Sequence, residues 1–190
     1  MPSPTYDLGY LKAGTQILEH YLFSSEIYWT LGESAPAGEQ PYPELTLGGL
    51  LLTRQRLTCA ELEHNARQQF ERLNLEFDQL SQRWRVAFGR KAANEFRARL
   101  SLWRDYLEDL RQQPENHVDR YGYEVQRRVM LDLLRRHNTD IPQAEQDLLD
   151  ALDKLLKVIL EPGTFVWAAR CQTAFPSDTY WYLYGKPRVK

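Results

Sequence analysis

The chain has 190 residues, with 24 Lys and Arg set against 26 Asp and Glu for a formal net charge of −2. That length can bury a core without disulfides or metal, and the charge balance excludes a surface that clamps nucleic acid on every side. Cys59 and Cys171 stand alone in no knuckle or redox spacing, no apolar run approaches the ~20 residues of a membrane span, and Met1–Asp7 lacks the basic start and apolar core of a signal peptide, so a cytoplasmic protein with no membrane association is expected.

A first helix is predicted from Pro4 to Ser24. Ser3 can cap it and Pro4 suits its first position. Leu8, Leu11, Thr15, Leu18 and Leu22 follow the three-and-four rhythm of one helical face. A loop follows over Glu33 to Pro43, where Pro36, Pro41 and Pro43 forbid a helix. The stretch from Leu45 to Leu57 is apolar, and Thr46 to Leu52 within it reads as a short helix entered through Gly48-Gly49.

From Thr58 to Gln113 there is no proline and one glycine, Gly89. Thr58 and Glu61 have the spacing of a capping box. A single straight helix here would reach roughly 78 Å, about twice the ~40 Å width of a compact domain of this size. The apolar residues agree that something changes along it. Ala66, Phe70, Leu73, Phe77, Leu80, Trp84 and Ala87 form one stripe, and Ala93, Phe96, Leu100, Trp103, Leu107 and Leu110 form another. At about 100° per residue the two stripes point roughly 140° apart. The helix therefore either exchanges partners between Ala87 and Ala93 or bends or breaks near Gly89.

Pro114 ends this unit. The next helix is predicted from His117 to Arg136, burying Val118, Tyr121, Val125, Val129 and Leu133. Asn138 to Pro142 is a stop and restart. A last helix from Pro142 to Leu160 is predicted to bury Ala144, Leu148, Ala151, Leu155 and Val158, with Leu152 and Ile159 alongside, and Pro162-Gly163 closes it. Strand competes for Glu26–Leu31, Thr164–Trp167 and Thr179–Tyr184, but irregular or short helical structure is the expectation. The fold class is thus all-α: one helical domain over residues 1–190, a bundle around one long central helix, bent or interrupted, with aromatic-rich irregular end segments.

Two short stretches nearly repeat each other. Phe23 to Gly32 lines up with Phe175 to Gly185, matching in Phe, Ser, Tyr, Trp and Leu with an acid after the second Ser. Such aromatic surface must pack on something, so both copies are expected at one end of the molecule, where the chain ends meet. Packing as a hydrophobic lid, with Trp29 and Trp181 covering the bundle end, is the plainer explanation. The functional alternative is a partner patch of Tyr28, Trp29, Tyr180, Trp181, Tyr182 and Tyr184, because Tyr and Trp combine area with a polar tip.

Arg83, Arg90, Arg97, Arg104 and Arg111 recur every seven residues. Such a line usually pairs across a helical seam, and Glu145, Asp147, Asp150 and Asp153 are available on the last helix. Read functionally it is an anion or nucleic-acid stripe, but Glu95, Asp105, Glu108 and Asp109 interleave it, which makes nucleic acid an unfavoured partner. Glu61 and His64 have the Glu-x-x-His spacing of carboxylate-bridged metal bundles, which need two such motifs. Only one copy is present, with Glu19 and His20 as neighbours on the first helix, and no metal or cofactor is expected. No nucleophile, general base or phosphate loop is specified. The sequence therefore points to a non-enzymatic interaction or assembly protein binding a protein partner or a second copy of itself, with a nucleic-acid-associated regulator as the alternative.

Overall fold

Ser3 and Pro4 start the first helix as their chemistry requires: the Ser3 hydroxyl accepts the Tyr6 N–H at 3.1 Å. Residues 2–138 and 140–188 are described by the computed structural model, which is 69% helix with a small two-stranded sheet. Helix α1 spans Pro4–Gln16 and is interrupted at Ile17, so that α2 is the separate piece Leu18–Phe23 rather than the tail of one long helix. The interruption redirects the chain. Helix α1 packs on α3 (Leu47–Thr58) and α4 (His64–Arg83), while α2 meets α4 and α5 (Arg85–Gln112).

Thr46 caps α3 by accepting the Gly49 N–H at 3.0 Å. Gly48 and Gly49 are required by close approach. A Cβ on Gly48 would stand 2.6 Å from a Glu95 oxygen, and one on Gly49 would stand 2.8 Å from the Tyr10 hydroxyl. Thr58 ends α3 instead of capping the next helix, and its hydroxyl donates to the Gln55 carbonyl at 2.7 Å. The expected capping box with Glu61 therefore does not form.

The long helix changes direction at Trp84, not at Gly89. Trp84 has φ −110° and ψ 33°, outside helical values. Trp84 N–H still reaches Leu80 and Phe88 N–H reaches Trp84, but among the described residues no backbone bond joins Arg85, Val86 or Ala87 to residues 81–83. The two sides of the bend differ in their main partners: α4 packs on α1, and α5 packs on α3, α7 (Tyr121–His137) and α8 (Gln143–Ile159), with α2 touching both. The change expected between Ala87 and Ala93 is thus displaced to Trp84, a member of the first stripe, and Ala87 lies on α5. Gly89 lies inside α5, where its carbonyl accepts from Asn138 Nδ2 at 3.0 Å and a Cβ would come within 3.3 Å of Asn138 Oδ1. That glycine marks where the end of α7 presses against α5.

After the short α6 (Pro114–His117), α7 buries Tyr121, Val125, Val129 and Leu133 as expected. Helix α8 is turned from its expected face. Leu149, Leu152 and Leu156 are buried, while Ala144 and Ala151 are exposed and Val158 is 74% exposed. Two adjacent leucine rails compete on this helix, and the one carrying more volume goes inward. The Arg128–Asp153 and Arg97–Glu145 pairs brace that rotation.

Strand β1 (Leu160–Phe165) follows α8 directly and pairs antiparallel with β2 (Tyr184–Pro187). The sheet is the strand alternative to the expected irregular or short helical ends, shifted to Leu160–Phe165 and Tyr184–Pro187. Its closeness depends on Gly185, where a Cβ would collide with the Glu161 carbonyl. Trp29 makes one further bridge, to Leu45. No helix among the described residues is long and apolar enough to cross a membrane.

Candidate interaction surface

Lys91, Glu95 and Arg99 succeed one another every four residues and so share one face of α5. All three are buried, at 4%, 0% and 8% exposure. Lys91 Nζ donates to the Ser24 and Glu26 carbonyls, both at 2.7 Å, and lies 4.4 Å over the Tyr21 ring. It thereby holds the C-terminal end of α2, where a cation is favoured. Burial pulls its pKa down, against the opposing pull of Glu26 and Glu95. Glu95 sits at the opposite kind of pole, the N-terminal end of α3, and accepts the Gly48 N–H and Arg99 Nε. Arg99 reaches on to the Thr46 hydroxyl at 2.7 Å. Burial first, and Glu95 second, push the Tyr10 and Tyr21 hydroxyls well above their ordinary pKa. This face fastens helices together.

A second buried network pins the C-terminal segment. Arg128 grips Asp153 with two bonds of 2.7 Å and pairs with Asp132 at 2.7 Å. The Tyr182 hydroxyl donates to Asp132 at 2.6 Å, and the Tyr121 hydroxyl donates to the Tyr182 carbonyl at 2.6 Å. These contacts tie α7 to α8 and to the C-terminal segment.

A separate group of exposed aromatic side chains lines a cleft elsewhere. Helix α1, the segment from Gln40 to Thr46, the start of α3, and the facing sides of α5 and α7 line a cleft of about 690 Å³. It runs into two further hollows of about 460 and 380 Å³, and all three share Tyr123 and Gln126. Several polar groups on its walls are already engaged. The Tyr6 hydroxyl donates to Pro41 and the Tyr10 hydroxyl to Glu44. Arg99 is held by Glu95, Arg56 by Asp7, and Arg127 by Glu124. Among the described residues the side chains of Tyr28, Tyr123 and Gln126 make no hydrogen bond, and Tyr123 is 68% exposed. Leu102 adds exposed apolar surface to the same cleft.

Compared with protein-family models, curated proteins and solved structures, the chain matches none of them. The surface itself is the guide to function.

The aromatic residues singled out by the repeat do not assemble into one patch. Tyr28 is exposed and lines the cleft. Trp29 is half-buried against Tyr21. Tyr180 and Tyr182 are buried, Tyr180 beneath the Arg136 guanidinium. Trp181 is half-buried under Lys157, and the half-buried Tyr184 donates its hydroxyl to the Phe175 carbonyl at 2.8 Å. No hydrogen bond or ring–ring contact joins the two copies among the described residues. Arg170, in the segment before the second copy, donates to the Pro2 carbonyl at 3.3 Å.

The five arginines also divide. Arg97 pairs with Glu145 on α8 at 2.6 Å, Arg104 with Asp105, and Arg111 with Glu108. Arg83 stacks on Trp84 at 5.1 Å, and Arg90 faces a separate cleft at the bend. Glu95 is wholly buried, so it is no neighbour of the exposed arginine line. Glu61 precedes α4 and His64 begins it, so Glu-x-x-His is not displayed on one helical face. No group of three His, Cys, Asp or Glu side chains suited to a metal ion occurs among the described residues.

Sequence reasoning missed Tyr123, Tyr6 and Tyr10. Tyr6 and Tyr10 are four apart and therefore share a side of α1. Their packing on Tyr42, at 4.8 and 5.8 Å, depends on a loop contact that helical periodicity does not report.

Proposed function

We propose that this chain is a non-enzymatic interaction protein that receives a segment of a protein partner in the Tyr123 cleft. The observation that carries the reading is Tyr123 itself, a large side chain 68% exposed beside three joined hollows. An aromatic ring with a free hydroxyl beside a concave apolar wall is the composition of a binding anchor. The ion pairs on its walls support the same reading, because Arg99–Glu95 and Arg56–Asp7 hold helices together. The free thiols Cys59 and Cys171 support placing the protein in a reducing compartment such as the cytoplasm. Nucleic acid running along the arginine line is disfavoured, because Arg97, Arg104 and Arg111 already have carboxylate partners.

The test places a photo-activated cross-linking residue at position 123 in the source cell, with exposed Glu71 as the control position. The expected result is a discrete adduct from position 123 that disappears when Tyr28→Ala and Leu102→Ala are added. Light scattering on purified protein distinguishes a second copy from a different partner. Equal labelling from both positions, or no adduct from either, overturns the proposal.

A further inference from the structure

We propose that the cleft at the Trp84 bend binds a small phosphate-bearing ligand with a flat ring, of the nucleotide class. The cleft has a volume of about 720 Å³, inside the range of small-ligand sites. Its walls are the end of α2 and the junction of α4 with α5. Four cations line it, Arg83, Arg85, Arg90 and Lys91, and no Asp or Glu does.

This charge distribution is unusual within the molecule. Elsewhere on α5 and α7 most arginines are matched to carboxylates, as in Arg97–Glu145, Arg111–Glu108 and Arg128–Asp153, and Arg136 bonds the Tyr180 hydroxyl instead. Among the described residues Arg83, Arg85 and Arg90 make no ion pair. At the back of the cleft Lys91 is 4% exposed and bonded to neutral oxygens of Ser24 and Glu26. Its charge is fixed in place and is not cancelled by a direct carboxylate bond. The nearest carboxylates are those of Glu26 and Glu95, and Glu95 is occupied by Arg99. An anion entering here would meet three unpaired guanidiniums, whose forked donors match phosphate oxygens.

The same place supplies a platform for a ring. Phe23 is 60% exposed and stands edge-on to Trp84 at 4.9 Å, leaving its outer face open. The Trp84 indole N–H is buried without an acceptor, an unspent donor beside the cations. Concavity separates this site from a membrane-docking surface, which would need the apolar groups to project together. The pairing of Arg97, Arg104 and Arg111 separates it from a strand-binding track, since the positive line stops one helical step beyond Arg90.

The experiment is calorimetric titration of the full chain with AMP, ATP and inorganic phosphate at near-physiological salt. Thermal unfolding with and without ATP provides a second readout. Saturable nucleotide binding is expected, weakened about tenfold or more by Arg85→Glu or Arg90→Glu, a loss of roughly 1.4 kcal/mol. Both residues are exposed and unpaired, so these variants should unfold at the wild-type temperature without ligand. Phe23→Ala should weaken AMP and leave phosphate unchanged. Four outcomes overturn the proposal: no binding; phosphate bound as well as AMP, meaning an adventitious ion only; preference for a single-stranded oligonucleotide with a steep salt dependence; or co-sedimentation with anionic vesicles that nucleotide does not displace.

Discussion

Both carboxylate oxygens of Glu95 accept the backbone N–H of Gly48, at 3.0 and 3.1 Å. Two residues 47 positions apart are thus joined at the start of α3, and Arg99 completes the contact at 2.5 Å from Glu95. Removing one member leaves the other charge buried. Glu95→Ala should therefore cost about 3–5 kcal/mol in urea unfolding. Gly48→Ala should cost about 1–3 kcal/mol, because its new methyl would press on Glu95, Arg99 and Met130. An unchanged urea midpoint for either variant would refute this account of α3.

Gly89 offers a test that depends on its neighbour. In an open helix, Gly→Ala stabilises by about 1 kcal/mol. Here the added methyl would lie 3.3 Å from Asn138 Oδ1, so the gain should be absent in the wild-type background. With Asn138→Ala already present, Gly89→Ala should recover it. A double-mutant cycle reads the coupling directly, and strict additivity would show that the two residues do not press on each other.

The buried tyrosines predict the alkaline limit of the fold. Burial raises the hydroxyls of Tyr10, Tyr21, Tyr121 and Tyr182 well above the usual value of 10.0. A raised pKa means the folded state keeps a proton that the unfolded chain releases. Stability from these groups is complete below pH 10.0 and declines as pH rises above it. Tyrosinate absorbance from this group should appear together with loss of helical circular dichroism. Ionisation of all eleven tyrosines while the helices remain intact would contradict it.

Cys59 should be a sluggish thiol. Burial first, and the neighbouring Cys171 second, raise its pKa to about 11. Its hydrogen also donates to the Arg56 carbonyl, at a sulfur–oxygen distance of 3.1 Å. Alkylation in native protein should be slow at neutral pH, since the thiolate is the nucleophile, and should accelerate as pH approaches 11. Mass-mapped iodoacetamide labelling checks this, and rapid modification of native Cys59 at neutral pH would reject it.

Much of the helical framework could be read from spacing. The two apolar stripes required the long helix to serve different neighbours, and it does: α4 packs on α1, while α5 turns to α7 and α8. The position of the bend could not be read that way. Gly89 has the composition of a break, but Asn138 holds it within the helix from 49 residues away. The face of α8 was ambiguous because two leucine rails lie side by side, and long-range ion pairs choose between them. Glu95 shows the same limit. Its pairing with Arg99 has the ordinary look of a surface i,i+4 contact, and only Gly48 at the end of another helix reveals that both are inside. The cleft was hidden for a similar reason, since Tyr123 and Tyr28 come from segments with no common period.

The hydroxyl of Tyr182 finds Asp132 across 50 residues, and that of Tyr121 finds the Tyr182 carbonyl across 61. During synthesis, α7 and α8 leave the ribosome well before this clasp exists. Until then Asp132 lacks its tyrosine and β1 has no strand beside it. Consolidation of this half of the protein is a late event, and a nascent chain stalled before Tyr182 is a target for chaperones and proteases that the finished molecule escapes.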